Sequence, residues 1–240
     1  MKREVSMPVE MKDALAAGAR AGLRYALGLP RQAPRGTAGA SVGLQAGSSL
    51  EFKDFRDYQP GDDLRHIDWN AFARSDQLFV KLYREEVTPH LDLFIDGTRS
   101  MDLEGSAKGE AALGLAAFFA TAAENAGFSH GTWLVGDNYH PVLNGHGRPA
   151  TWQDLTFPDA ANPLETIRQA PPPWRPRSVR ILISDLFRMG DPLSLLEHQG
   201  ERAGAVVIVQ LLAEADASPP EGETLRLVDT ETGQTMELLL

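Results

Sequence analysis

The pattern of apolar and polar positions changes twice along the 240 residues. Between Met7 and Leu29, Met11, Leu15, Ala19, Leu23 and Leu27 recur every four residues, with Lys12, Arg20 and Arg24 between them. That spacing predicts a helix docked on its own domain and stopped by Pro30. Residues 31–49 are rich in Gly, Ala, Ser and Pro and read as a linker or loop. Residues 50–90 mix charges with aromatics, and Gln77–Tyr83 alternates like a strand. From Leu91 the rhythm becomes strand, helix, strand, helix. Leu91–Ile95, Thr132–Val135, Tyr139–Leu143, Val179–Ser184 and Ala205–Leu211 are the expected strands. Ser106–Asn125, Pro163–Gln169 and Pro192–Ala203 are the expected helices. Gly136-Asp137-Asn138 signals a hairpin, and Glu231-Thr232-Gly233 a terminal one. Apolar strands alternating with helices predict an α/β fold, a doubly wound and mostly parallel sheet covered on both faces. The expected organisation is a helix and linker over 1–49, a small β-containing module over 50–90 and the α/β domain over 91–240.

Composition narrows the functions. Lysine and arginine total 23 against 33 aspartates and glutamates, a net charge of −10, and 42% hydrophobic residues suffice for a core. The acidic balance argues against a dedicated nucleic-acid binder and against adhesion to anionic membranes. The absence of cysteine excludes disulfides, thiolate zinc sites and a cysteine nucleophile, and fits a reducing compartment. Met1-Lys2-Arg3-Glu4 leads into no long apolar run, so no signal peptide is expected. The weakly polar run Ala111–Ala123 falls short of the ~20 residues of a spanning helix. A cytoplasmic location is expected.

Candidate chemistry gathers at Asp96-Gly97-Thr98-Arg99-Ser100, directly after the apolar run Leu91–Ile95. An aspartate at a strand exit with hydroxyls two and four residues on makes an oxygen-lined concavity, which hard cations such as Mg²⁺ favour. Asp185 ends a second buried strand. Ligands of doubly wound sheets bind at the carboxyl ends of strands, where strand order reverses. If these two strands are neighbours, Asp96 and Asp185 meet, joined by Thr98 and Ser100. Two enzyme readings compete. Ile95-Asp96-Gly97-Thr98 echoes a phosphatase loop, but Phe94 stands where the nucleophile is needed. A metal-dependent hydrolase, phosphatase or nuclease, needs Asp57, Asp62 and Asp68 to converge rather than pair with Arg56 and Arg65. The six histidines show no ligand spacing, and there is no Gly-x-Ser-x-Gly elbow or phosphate-binding loop.

Asp96-Gly97-Thr98-Arg99-Ser100 resembles the Asp-x-Ser-x-Ser metal-ion-dependent adhesion motif of von Willebrand factor A domains, with Thr98 for the first serine. The run from Arg56 through Tyr58, Pro60, Gly61, Asp62, Arg65 and Asp68 to Trp69 is more specific. With Ala73-Arg74 and Glu85-Glu86 it resembles the bacterial "domain of unknown function 58" family, whose members carry an A-like domain. Val228-Asp229-Thr230-Glu231-Thr232-Gly233 is similar to that family's late Asp-x-Glu-Thr-Gly segment. The resemblance covers the chain from Leu50 to Thr235. It implies a non-catalytic protein-interaction adaptor working with a MoxR-type AAA+ ATPase in protein maturation or assembly. It also implies Mg²⁺ held by Asp96, Thr98 and Ser100, with Asp185 as the second-loop acid and a partner's carboxylate completing the octahedron. The fold's third-loop threonine finds no motif around Thr151 or Thr156, and the family pattern continues with a helix and strand beyond the terminal hairpin. Arg56, Tyr58, Pro60, Gly61, Asp62, Arg65, Asp68 and Trp69 form a binding or structural motif: such a density of arginine–aspartate pairs suits a catalytic or nucleotide-reading site, but more often a network that fixes the module against its neighbour.

Overall fold

A computed structural model describes residues 7–28, 50–85, 89–160, 162–170, 172, 174–187, 192–218, 224–229 and 232–239. The expected linker, Pro30, Glu86, Thr230 and Glu231 lie outside the described residues. The chain divides into two compact units, Met1–Arg35 with Pro89–Leu240, and Gly36–Thr88. In chain order the first half holds α1 (Val9–Gly22), β1 (Leu50–Asp57), α2 (Trp69–Ser75), β2 (Phe79–Glu85), β3 (His90–Asp96) and α3 (Lys108–Asn125). There follow β4 (Ser129–Val135), β5 (Tyr139–Pro141), α4 (Pro163–Gln169), β6 (Val179–Ser184), α5 (Pro192–Gly200) and β7 (Ala205–Gln210). A short α6 (Glu214–Ala217) and the hairpin β8 (Thr224–Val228) and β9 (Thr235–Leu239) complete the order.

The larger unit is a mixed α/β structure around a five-stranded sheet of order β5-β4-β3-β6-β7. All its pairings are parallel except β4 with β5. Every residue of β3 is buried. Leu91, Leu93 and Ile95 pack with Leu113, Ala116 and Ala120 of α3 in one apolar cluster. Phe94 packs with Ile167 of α4, Leu182 of β6 and Leu195 of α5 in another. Apolar layers on both faces are why this strand reads as an unbroken apolar run rather than as an alternation. The segment between β5 and α4 is not a plain loop, because Trp152, Leu155 and Phe157 are buried in the first cluster.

α1 docks on α3 through small residues. A Cβ at Gly18 would stand 1.9 Å from the Gly114 carbonyl oxygen, so only glycine permits this crossing. Met11 and Leu15 are buried, whereas Leu23 is 66% exposed. Leu23 lies just past the end of α1, while Ala19 and Leu27 are partly buried and pack against the same cluster as Met11 and Leu15. α1 ends at Gly22, well before the expected stop. The Asn125 side-chain amide takes over there, donating to the carbonyls of Gly22 (3.2 Å), Leu23 (3.3 Å) and Tyr25 (2.9 Å).

In the smaller unit β1 pairs antiparallel with β2, with a register shift between Phe52 and Asp54. The Pro60-Gly61 turn places Gly61 at φ +106°, open to glycine and costly for other residues. α2, which the apolar pattern does not predict, starts where the Asp68 carboxylate accepts from the amides of Asn70 (3.0 Å) and Ala71 (3.1 Å).

Candidate functional site at the carboxyl end of the central strands

β4 and β5 lie on one side of β3, and β6 and β7 on the other. The strand order therefore reverses between β3 and β6, which pair in parallel up to Ile95 and Ile183. Asp96 follows Ile95 directly, and Asp185 follows Ser184, the residue after Ile183, so the two acids leave the sheet at neighbouring strand ends. The adjacency that the sequence left conditional is present, at the crevice where doubly wound sheets take ligands.

Asp96 is 3% exposed and heavily bonded. Its Oδ1 accepts from the Thr98 amide (3.0 Å) and the Thr98 hydroxyl (2.6 Å), and its Oδ2 accepts from the Ser184 hydroxyl (2.5 Å). Burial pushes the Asp96 carboxyl above the usual carboxylate range, the bonds from Ser184 and Thr98 pull against it, and the charge of Asp185 adds to the rise. Thr98 Oγ1 and Ser100 Oγ lie 3.0 Å apart. Asp159, in the segment before α4, meets this loop through its backbone. Its amide donates to the Gly97 carbonyl (3.3 Å), and its own carbonyl accepts from the Arg99 amide (3.0 Å). Burial, followed by the charge of Asp137, raises the Asp159 carboxyl. Thr151 spends its hydroxyl on the Arg148 carbonyl (2.8 Å), and Thr156 is exposed.

Lys108, which sequence reasoning did not single out, completes the corner. It is 3% exposed. Its Nζ donates to Asp185 Oδ2 (2.9 Å), lies 3.1 Å from Asp216 Oδ2, and stands 5.4 Å from the Phe187 ring centroid. Burial pulls the Lys108 pKa down, but the hydrogen bonds and charges of Asp185 and Asp216 outweigh it and raise it, so the ammonium stays charged. Asp185 Oδ1 accepts from the Phe187 amide (3.2 Å).

These side chains meet only part of the demand of Mg²⁺. Ligand oxygens at 2.0–2.1 Å from the ion are about 3 Å apart along an octahedral edge, and the Thr98–Ser100 hydroxyl pair has that spacing. Asp185 does not suit the role, because its charge is already matched by the Lys108 ammonium 2.9 Å away, which would repel a divalent ion beside it. As arranged, the four residues do not fit a divalent ion. Among the described residues no group of three or more His, Asp or Glu has metal-holding geometry either.

The motif of residues 56–69 belongs to the other unit, and its described polar contacts are internal. Arg56 forks onto Asp62 with bonds of 2.8 and 2.6 Å, and the Gln59 amide donates to the same carboxylate (2.9 Å). Arg56, then the Gln59 amide, hold the Asp62 pKa down. Tyr58 donates its amide to the Leu78 carbonyl (3.0 Å). Arg65 pairs with Asp63 (2.6 Å), whose pKa it lowers well below the usual range. Asp68 lies 3.5 Å from Lys81 Nζ, and Trp69, 58% exposed, meets Phe72 edge-on. Asp62 and Asp68 are engaged with different cations, Arg56 and Lys81.

A family model described as "Protein of unknown function DUF58" matches residues 54–239. A search of curated proteins finds no match. Among solved structures, that of an aerotolerance-related membrane protein from Bacteroides fragilis NCTC 9343, carrying multiple mutations to serines, is similar at 14% identity. The match covers 63% of this chain and 82% of that chain with a TM-score of 0.37. Among the described residues no helix is long and apolar enough to cross a membrane.

Proposed function

The chain belongs to the DUF58 family, and from that premise we propose that its larger unit is a von Willebrand factor A-like, non-catalytic adaptor that docks a protein partner at the carboxyl end of β3 and β6. The partner we propose is a MoxR-type AAA+ ATPase, served in the maturation or assembly of other proteins. The observation that carries the reading is the meeting of the Asp96–Ser100 loop with Asp185 where the strand order reverses. Buried polar groups fix the floor of this corner, while Arg99 is exposed and Phe187 is 57% exposed at its rim. Arginine and aromatic side chains over a rigid floor are the residue types that carry binding energy at protein interfaces. No step of this reading passes through a metal.

The test is binding of the purified chain to the purified MoxR-type ATPase of the same cell, read by calorimetry and gel filtration. Phe187→Ala and Arg99→Ala, both at exposed positions, are expected to weaken the complex by about tenfold or more each. Binding that survives both substitutions but fails in Arg65→Ala moves the interface to the smaller unit. Absence of any complex with the wild-type chain removes the ATPase from the reading.

A further inference from the structure

Lys108 is placed against the local rules. It opens α3, where the positive end of the helix dipole disfavours a cation. The residue at the cap position, Ala107, offers no side-chain acceptor and sits at φ +51°, and the Lys108 amide makes only a long bond to the Ser106 hydroxyl (3.4 Å). Across the corner Leu186, which follows Asp185, sits at φ +64°. A left-handed backbone at non-glycine residues persists only where the surroundings hold it. Here what the surroundings hold together is one buried ammonium and two carboxylates, Asp185 and Asp216, with the Phe187 ring close by.

We infer that Lys108 is the resident cation of this corner: its ammonium gives Asp185 the positive charge that a divalent ion would otherwise give, and while seated it keeps the corner from taking Mg²⁺. Geometry supports the exchange. Lys108 donates to Asp185 at 2.9 Å, so a divalent ion on that carboxylate would stand beside an ammonium and be repelled by it. Asp216 lies 3.1 Å from Nζ on α6 and holds the lysine from a second element. The inference concerns the corner proposed above as the docking site, and its test needs no partner, so either can fail alone.

The experiment is a Mn²⁺ titration of the full chain, followed by the electron paramagnetic resonance of free Mn²⁺ and by calorimetry. The wild type is expected to show no saturable site at millimolar Mn²⁺. Lys108→Met frees Asp185 and is expected to bind at least about tenfold more tightly than the wild type. Asp216→Asn, at a part-exposed position, loosens the lysine from one side and moves affinity the same way by a smaller factor. A saturable wild-type site that Asp96→Ala abolishes overturns the inference. So do folded Lys108→Met and Asp216→Asn chains that bind no more tightly than the wild type. If circular dichroism shows that Lys108→Met does not fold, the wild type and Asp216→Asn decide the matter.

Discussion

His130 shows how one buried side chain can set a pH dependence. It is 3% exposed on β4, and one ring nitrogen lies 3.2 Å from the Gly147 carbonyl. Burial pushes its pKa below the usual 6.5, against the pull of the Gly147 carbonyl and Glu124, while His90 and His146 push further down. The unfolded chain therefore takes up this proton more readily than the folded one, so stability rises with pH across the interval between the two values. The contribution is fully present above pH 6.5 and is lost as pH falls through the lowered folded value. His130→Gln is expected to flatten the fall of the urea midpoint below that pH. A slope that persists unchanged in the variant assigns the proton to another group.

At the scale of elements, the α1–α3 contact is the most exposed to test. Gly18→Val drives a side chain into the Gly114 carbonyl and is expected to cost about 3 kcal/mol in urea unfolding. Asn125→Ala removes three carbonyl partners and is expected to cost about 1–2 kcal/mol in the wild type. If Gly18→Val has already lifted α1, Asn125→Ala should cost under about 0.5 kcal/mol in that background. Full additivity would mean that the two substitutions act on different contacts. Elements of this kind differ in how much of them the sequence reveals. β3 and β6 are legible because strands buried on both faces leave bare apolar runs, and α4 begins and ends where expected. α2 is hidden because a seven-residue helix carries too few apolar positions to show a period. Its available signal was Asp68 standing as a cap before Trp69. Asp96 and Asp185 could be named as strand-end acids, but their adjacency depends on strand order, which is settled by pairings distant in sequence. Lys108 was invisible for the same reason, since its partners Asp185 and Asp216 lie far along the chain and no local spacing points to them.

For the whole molecule, the order of segments matters as much as their structure. The larger unit takes its α1 from before the smaller unit and its sheet from after it. A ribosome releases these pieces in order. Gly18 and its partner Gly114 are about 100 residues apart, so at roughly 5–20 residues per second α1 waits of the order of 5–20 seconds for α3 to be made. The β1–β2 hairpin has been synthesised in full before that time. Met11 and Leu15, buried in the finished protein, have no α3 to cover them during the delay. The α1 helix is thus left waiting, and the nascent chain carries an uncovered apolar stripe until α3 has been made.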